Sequence, residues 1–563
     1  MKQHKICVIG SGAGAGPIAY ELSKAGYKVV ILEKGPWIKT SQFNKDEIVA
    51  ARRSVYTPNL KDEQHVIEQK NNKGEWVAKS TYETGRDFWN GNCVGGSSNF
   101  MSGYFHRMKP QDFKLLTKYG EIKGANIVDW PISYEDMEPY FTKVESIIGV
   151  SGRIVNHSTQ EPRSTKTFPF PPLAENIIAQ WIDNASEKLG YKMVPVPRGI
   201  LSKPKDERNA CVYSNFCGSY GCSSDAKASS RASLLNLALK TGNLTILAKS
   251  KVFHLETDGN NNIVKAHYYD NDDNKQFIEA DTFVVAAQAI ETSRLLLMSK
   301  NNEFPKGLAN NNGLVGKNLI FSAGGVGHGS FNEKDLTKEN FSQLKALGVF
   351  VNRSIHNWYE INDSETFFNK SKGGMVDFLF EHPNAIKKAI KQKWDDNGNL
   401  VYGSELKQKI FNSFTKQRIL NFEVFCDWLP TDNCFVTLDD RVIDKWGDPV
   451  AKIRIDNHPN DIKVGKYLAK KAEQLLQKMG AKNISSNING SPPPNLVAGG
   501  CRFGTDSKTS VLDANCKAHE VNNLYITDGS FMPTGGSVTY TWTIYANAFR
   551  VADKIIKQIK LEN

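Results

Sequence analysis

The stretch KICVIGSGAGAG, at residues 5–16, decides the fold. A run typical of a buried strand enters a glycine-rich turn, and a helix with one apolar face follows and stops at Gly26. A second strand, residues 27–32, ends on the acidic residue Glu33. This order of strand, turn, helix, strand and acid predicts the first unit of a doubly wound parallel sheet.

The same turn predicts a ligand, because each small residue in it has a separate task. Gly10 permits the tight turn, Gly12 lets a pyrophosphate approach the backbone, and Ala15 lets the helix pack on the strand. The helix N-terminus offers unpaired N–H groups to phosphate, and Glu33 can accept hydrogen bonds from ribose hydroxyls. We predict an adenine dinucleotide, with FAD and NAD both open at this point and NADP disfavoured. The predicted contacts are Gly10, Ser11, Gly12, Ala13, Gly14, Ala15 and Glu33.

Composition limits the other function classes. A chain of 563 residues suggests two lobes, and 40% hydrophobic with 23% charged residues is ordinary for a folded globular protein. The formal net charge of +11 would suit an acidic substrate, a membrane surface or an acidic partner, and without a nucleic-acid-binding motif we expect no nucleic acid. Nine cysteines do not describe a secreted disulfide scaffold, and residues 1–5 show no signal-peptide pattern, so we expect a cytoplasmic protein.

Further segments extend the pattern beyond the first turn. Residues 91–99, GNCVGGSSN, form a second glycine and serine loop that is suited to wrap a pyrophosphate with backbone N–H groups. A buried strand followed by a helix begins at residue 283, and NLYITDGSFMPTGG at residues 523–536 precedes a helix from about Thr541. Together with residues 130–140 and 444–450, these segments resemble the glucose–methanol–choline (GMC) flavoprotein oxidoreductases. The likeness is to the branch that holds the large subunits of gluconate, fructose and FAD-dependent glucose dehydrogenases.

The resemblance implies FAD as the cofactor and gives roles to further residues. Asp528 would bond the ribityl chain or the ribose side of the pyrophosphate, and Val252 would contact adenine through its backbone. The helix that begins near Thr541 would point its positive end at the N1/C2=O edge of the flavin. The added cofactor contacts are Val94, Gly95, Gly96, Ser97, Val252, Asp528, Gly529 and Thr541.

The fold class implied is α/β, or α+β overall. Residues 1–45, 205–310 and 490–563 would assemble a discontinuous, Rossmann-like FAD-binding domain. Residues 46–204 would cover the FAD and connect the parts. Residues 311–489 would form an interleaved substrate domain on a mostly antiparallel sheet.

Three cysteines crowd into one loop, with the spacing Cys-x5-Cys-x4-Cys at Cys211, Cys217 and Cys222. Glycines and small residues let this loop fold back so that the thiolates converge, and three thiolates suit an iron–sulfur cluster that lacks one iron corner. Zinc would need a fourth ligand, and a disulfide or unligated thiols stay open. The loop also resembles that of FAD-dependent glucose dehydrogenase, which implies a 3Fe–4S cluster that relays electrons from the flavin.

The usual catalytic pair of the family is missing. Alignment on the Gly-Gly-Cys-Arg run at residues 499–502 places Leu496 where the family has a histidine base, and Thr539 with Tyr540 stands where an Asn-Pro pair is usual. Leucine cannot take a proton, and loss of a general base costs about 10²–10⁴ in rate. Tyr540 is a weak candidate for a substitute. Other candidates in the second lobe are His328, His356, His382 and Glu381.

Two functions from different classes follow, with a weaker third. The first is an FAD-dependent dehydrogenase that oxidises CH–OH groups of a sugar, polyol or other alcohol and passes electrons to an external acceptor, such as a small subunit and a cytochrome. The second is a GMC-like flavoprotein with lost or altered oxidation chemistry, acting as a lyase, isomerase or binding protein. The third is an NAD-binding protein. The first also admits a periplasmic location, through export with a partner subunit.

Overall fold

The computed structural model describes residues 4–48, 59–85, 88, 91–218, 220–367, 371–395, 397–491 and 496–562. Within these residues, no helix combines the length and the apolar character that crossing a bilayer requires. The α-helices of the described chain, in order, are α1 Ala15–Lys24, α2 Thr81–Thr84, α3 Leu115–Tyr119, α4 Tyr134–Ile148, α5 Ile178–Glu187, α6 Asn236–Leu239, α7 Ala289–Met298, α8 Lys338–Leu344, α9 Ala385–Lys391, α10 Gly403–Thr415, α11 Pro459–Lys478 and α12 Tyr540–Glu562. The strands are β1 Lys5–Ile9, β2 Lys28–Glu33, β3 Val66–Lys70, β4 Trp76–Ser80, β5 Met193–Pro195, β6 Leu244–Ala248, β7 Lys251–Thr257, β8 Ile263–Tyr269, β9 Lys275–Glu279, β10 Thr282–Val285, β11 Lys317–Phe321, β12 Ala323–Asn332, β13 Arg353–Ile355, β14 Glu360–Ile361, β15 Ser371–Lys372, β16 Gly374–Phe380, β17 Gln417–Cys426, β18 Phe435–Ile443, β19 Pro449–Arg454, β20 Lys482–Asn487, β21 Val497–Gly500 and β22 Leu524–Ile526.

The first lobe is built on a parallel sheet in the order β22-β10-β1-β2-β6. β1 and β10 are almost entirely buried, which is typical of strands inside a parallel sheet. α1 packs against the C-terminal helix α12 on this sheet. The side chains of Ala548, Val551 and Ile555 are buried in α12, which confirms the predicted helix and its apolar face. The predicted Rossmann-like sheet is therefore confirmed.

The second lobe is built on an antiparallel sheet in the order β20-β12-β17-β16-β13-β5. Its two longest strands, β12 and β17, pair over their whole length, from Ala323 opposite Cys426 to Asn332 opposite Gln417. The apolar stripe of α11 lies along this sheet. β12 carries glycines because its neighbour leaves no room for side chains: a Cβ at Gly324 would lie 2.1 Å from the carbonyl oxygen of Val424. The predicted antiparallel sheet is confirmed.

The lobes are more interleaved than the predicted boundaries suggest. Five of the six strands of the antiparallel sheet come from residues 311–489, but β5 comes from residues 46–204. β3 and β4, from the same range, extend a second sheet through a parallel pairing of β3 with β19. Residues 46–204 therefore supply strands to the second lobe, as well as the connecting segments that we predicted.

Candidate functional site

A cavity of about 1070 Å³ runs from one lobe into the other. It begins at the carboxyl ends of the parallel strands, where the chain leaves β1, β2, β10 and β22, the place where doubly wound sheets bind ligands. It ends against β12 and β17 of the antiparallel sheet. We call the first part the dinucleotide end and the second part the substrate end.

The glycines of the first turn have different surroundings. Gly10 has φ +92°, and a Cβ there would lie 2.4 Å from the carbonyl oxygen of Ala286. A Cβ at Gly14 would lie 2.6 Å from the carbonyl oxygen of Thr527. Gly12 lines the cavity, and a Cβ there would meet no protein atom within 4 Å. The fold thus requires Gly10 and Gly14, whereas Gly12 leaves space on the side where a phosphate would approach.

Glu33 lies in the wall of the dinucleotide end with its carboxylate held in place. Its Oε2 accepts a hydrogen bond of 2.5 Å from the Ser11 hydroxyl, and its Oε1 accepts one of 2.8 Å from the Gly35 N–H. Ser11 Oγ also accepts a 2.9 Å hydrogen bond from the Gly95 N–H, which ties the second glycine loop to the first. Burial raises the pKa of Glu33. The carboxylate is positioned to receive further donors from the cavity side, as a ribose would provide.

Asp528 organises the backbone around the cavity. Its Oδ1 accepts hydrogen bonds from the N–H and the hydroxyl of Ser530, at 2.8 and 2.5 Å. Its Oδ2 accepts from the Thr292 hydroxyl at 2.5 Å and from the Gln288 N–H at 3.2 Å. Burial raises the pKa of Asp528. The observed role of this side chain is to fix the start of α7 and the turn at Gly529–Phe531, so any bond to a ribityl chain would be an additional one.

The other predicted cofactor residues divide into a cavity wall and a support behind it. The N-terminus of the 23-residue helix α12 faces the cavity and gives it the positive end of a long helix dipole. Ala15, Val94 and Gly95 do not line the cavity and instead shape the turns from behind. The predicted residues in the wall are Gly10, Ser11, Gly12, Ala13, Gly14, Glu33, Gly96, Ser97, Val252, Asp528, Gly529, Thr541, and also Leu496, Thr539 and Tyr540.

The family's catalytic positions lie at the substrate end, but none of them carries a free proton acceptor. Leu496 presents an aliphatic side chain from a backbone with φ +60°. Thr539 Oγ1 donates to the carbonyl of Tyr104 at 3.2 Å. The Tyr540 hydroxyl donates to the carbonyl of Phe321 at 2.7 Å, and burial raises the pKa of Tyr540 far above its ordinary value. Tyr540 is therefore held protonated, which gives no support to it as a base.

Of the other candidate bases, three lie outside the cavity wall and one lines it. His328, His356 and Glu381 do not line the cavity. His356 packs among His106 and His157, with ring centroids at 5.5 and 6.0 Å, and Glu381 pairs with a lysine. His382 does line the cavity, and its Nδ1 lies 3.2 Å from the carbonyl oxygen of Cys217. The sequence does not show this neighbour of the cysteine loop, because the two residues are far apart along the chain.

Glu423 is an acidic residue of the substrate end that the sequence analysis missed. It lies in the middle of β17 and lines the cavity. Burial and the charge of Asp377 raise the pKa of Glu423 to about 7, against the lowering effect of Arg198. One sequence feature could have indicated this residue: a single glutamate lies inside an apolar strand, NFEVF at residues 421–425.

The three cysteines pack against one small apolar cluster. Burial raises the pKa of Cys211 to about 12 and raises that of Cys217. Burial acts in the same direction on Cys222, but the Lys227 ammonium and a serine hydroxyl bring its pKa below the ordinary value. Within the described chain, no three His, Cys, Asp or Glu side chains are gathered as ligands of one metal ion. The iron–sulfur cluster therefore stays a prediction, and so do its proposed ligands.

Comparison with known proteins identifies the family. Models of the GMC oxidoreductases match residues 78–322 and residues 430–548, which together make up more than half of the chain. The chain belongs to the GMC oxidoreductase family. As a GMC flavoenzyme it is an oxidoreductase acting on CH–OH donors, and the family supports FAD rather than NAD as the cofactor.

Relatives of this GMC chain match it from end to end at low identity. The 2-methyl-1,2-propanediol dehydrogenase of Mycolicibacterium austroafricanum is 28% identical, over 99% of this chain and 96% of the relative. The fructose dehydrogenase large subunit of Gluconobacter japonicus is 26% identical, over 99% and 98%. Among solved structures, pyridoxine 4-oxidase from Mesorbium loti has a TM-score of 0.59 at 15% identity, over 99% of both chains, which supports the fold alone.

Proposed function

We propose that this chain is an FAD-dependent dehydrogenase that oxidises a CH–OH group of a sugar, polyol or related alcohol and passes the electrons to an external acceptor. The observation that carries the proposal is the cavity, which is continuous from the intact dinucleotide end to the substrate end. FAD would lie along Gly10–Gly14 and Glu33 and meet the N-terminus of α12. When bound, FAD supplies the hydride acceptor.

The walls of the substrate end favour a hydroxylated substrate. Amide side chains of Asn384, Asn487 and Asn489 line the cavity, together with Ser322. Each amide offers both a donor and an acceptor, which is the chemistry that recognises a row of hydroxyl groups. Val326 and Leu496 supply apolar surface beside these groups, against which the carbon skeleton of a sugar or short diol can pack.

The cysteine loop is the proposed site of a 3Fe–4S cluster and the side from which electrons would leave. Two observations support this proposal: Cys211, Cys217 and Cys222 pack against the same apolar cluster, and Gly218 of the same loop lines the cavity. The acceptor would be a partner subunit or a cytochrome. Iron and acid-labile sulfide analysis of the purified protein tests the cluster, and a protein free of both would remove it.

A flavoprotein with altered chemistry is the second candidate, because Leu496 and Thr539 replace the usual catalytic pair. One titration separates the two functions. FAD-loaded protein is mixed anaerobically with a panel of sugars, polyols and short diols, and the flavin absorbance is followed. Bleaching by at least one donor supports the dehydrogenase. Bound FAD that dithionite reduces but no donor reduces would support the second candidate and contradict the first.

A further inference from the structure

We propose that Glu423 is the general base of this enzyme and takes the hydroxyl proton of the alcohol in place of the histidine that position 496 lacks. This inference rests on the alcohol oxidation proposed above. It assigns the catalytic role to a different lobe, since Glu423 belongs to the antiparallel sheet and Leu496 directly precedes β21.

The sheet fixes where the carboxylate can point. Glu423 lies on β17 between Val326 of β12 and Asp377 of β16. Phe422 is buried away from the cavity, whereas Glu423 keeps part of its surface open and lines the cavity beside Val424. Because β17 is an internal strand of the sheet, its backbone fixes the point from which the Glu423 side chain extends toward a substrate.

Tyr104 connects Glu423 to the corner where the family places its catalytic pair. The backbone carbonyl of Tyr104 accepts the hydrogen bond of Thr539, and its ring lies 3.9 Å from the guanidinium carbon of Arg198. Burial and the charges of Glu423 and Asp377 raise the pKa of Tyr104, while Arg198 lowers it. Tyr104, Thr539 and Glu423 all line the cavity, and Arg198 contacts the ring of Tyr104.

The charged groups around Glu423 suit the exchange of a proton near neutral pH. Asp377 faces it from β16, and Asp377 Oδ2 is also 3.1 Å from Nε2 of His106. Arg198 supplies the opposing positive charge. Burial and Asp377 bring the pKa of Glu423 to about 7, which is where a general base is most effective. Among the described residues, none is hydrogen-bonded to the Glu423 carboxylate, and the residue lines the cavity with part of its surface exposed.

The proposed step is balanced in atoms and electrons. The O–H bond of the alcohol breaks and its proton goes to the Glu423 carboxylate. The C–H bond would break with both electrons, bound FAD would supply the acceptor for the hydride, and the C=O bond would form. The protonated Glu423 then returns its proton to water through the cavity.

The test compares Glu423→Gln with Glu423→Asp in the FAD-loaded enzyme. Glutamine keeps the size of the side chain but cannot accept the proton, so kcat should fall about 10²–10⁴-fold with little change in FAD content. The limb of the kcat/KM profile near pH 7 should vanish in Glu423→Gln and persist in Glu423→Asp, which keeps a carboxylate. Glu405→Gln, at an exposed position of α10, is the control for the substitution itself.

A second readout does not need activity. In the substrate-free protein, ionisation of the partly buried Glu423 should oppose folding, and this loss of stability is complete above its pKa of about 7. Glu423 binds its proton more tightly in the folded state than in the unfolded state, where a glutamate pKa is about 4.3. The Tm of the wild type minus that of Glu423→Gln should therefore fall between pH ~4.3 and ~7. Parallel Tm curves would contradict the proposal.

The outcomes keep the two proposals apart. Wild-type flavin that is reduced by a donor, with Glu423→Gln equally fast and its pH limb intact, overturns the base and leaves the dehydrogenase standing. Wild-type flavin that no donor reduces overturns the proposed function and this base together. A slow Glu423→Gln that binds FAD normally and has lost the pH limb supports both.

Discussion

The two ends of the cavity differ in what their chemistry requires of the chain. At the dinucleotide end the requirement lies in the backbone: a positive φ at Gly10, an open side at Gly12 and the N-terminus of α12. At the substrate end it lies in one side chain that can accept a proton. The first end keeps every feature of its pattern, and the second end has leucine and threonine at the family's catalytic positions.

This difference shows which functional groups of such an enzyme can be supplied from another position in the sequence. A backbone site is inseparable from the strand and helix that form it, so a change there disturbs the sheet as well as the ligand. A proton acceptor needs only to reach the same space, and β17 borders that space from the opposite lobe. A base can therefore move from the segment before β21 to β17 without any change in the cofactor site.

The largest effect is expected for Gly10→Ala. The new Cβ would lie 2.4 Å from the Ala286 carbonyl oxygen at a residue with φ +92°, so it meets both a backbone clash and backbone strain. Together these should cost about 2–5 kcal/mol in the free energy of unfolding. The protein should be recovered poorly or without FAD, as thermal denaturation and flavin absorbance would show. A variant of normal Tm would contradict this account of the turn.

Gly12→Ala is the matched comparison at the same turn. Its Cβ would meet no protein atom within 4 Å, so the Tm of the FAD-free protein should stay close to that of the wild type. The methyl group would instead occupy the approach to the helix N-terminus and weaken FAD binding about 10–100-fold, as expected when charge-assisted hydrogen bonds are lost. Titration of FAD-free protein with FAD measures this change. Unchanged affinity would place the pyrophosphate elsewhere.

The same difference between the two ends explains which features could be predicted from the sequence. The parallel sheet, the turn at Gly10 and the helix α12 were predictable, because local patterns of apolar residues and glycines specify them. Glu423 was not predictable as a site residue, since its place in the cavity depends on how β17 pairs with β12 and β16 across long stretches of chain. The pairing of His382 with the cysteine loop escaped prediction for the same reason.

A smaller effect is expected when a histidine is returned to position 496 in the Glu423→Gln background. Leu496 has φ +60°, a conformation that histidine tolerates better than leucine, so Leu496→His should not harm folding. Its imidazole would enter the cavity and should raise kcat about tenfold over that of Glu423→Gln. This gain is a part of what a well-placed base provides. Leu496→Asn in the same background is the control, because asparagine also tolerates this backbone but is no base. Equal rates for the two would mean that a base at position 496 is out of reach.

The smallest effect is expected for Thr539→Val, which keeps the shape of the side chain and removes its hydroxyl. The hydrogen bond to the Tyr104 carbonyl is 3.2 Å long, and its loss leaves a buried acceptor unpaired, at a cost of about 1–2 kcal/mol in the free energy of unfolding. If proton transfer belongs to Glu423, kcat should stay within about threefold of the wild type, since general-base loss would cost far more. Steady-state kinetics with the best donor gives the answer. If kcat instead falls 100-fold or more while FAD stays bound, the catalytic role lies at position 539, as in the family. The reason for assigning the base to Glu423 in the opposite lobe would then be lost.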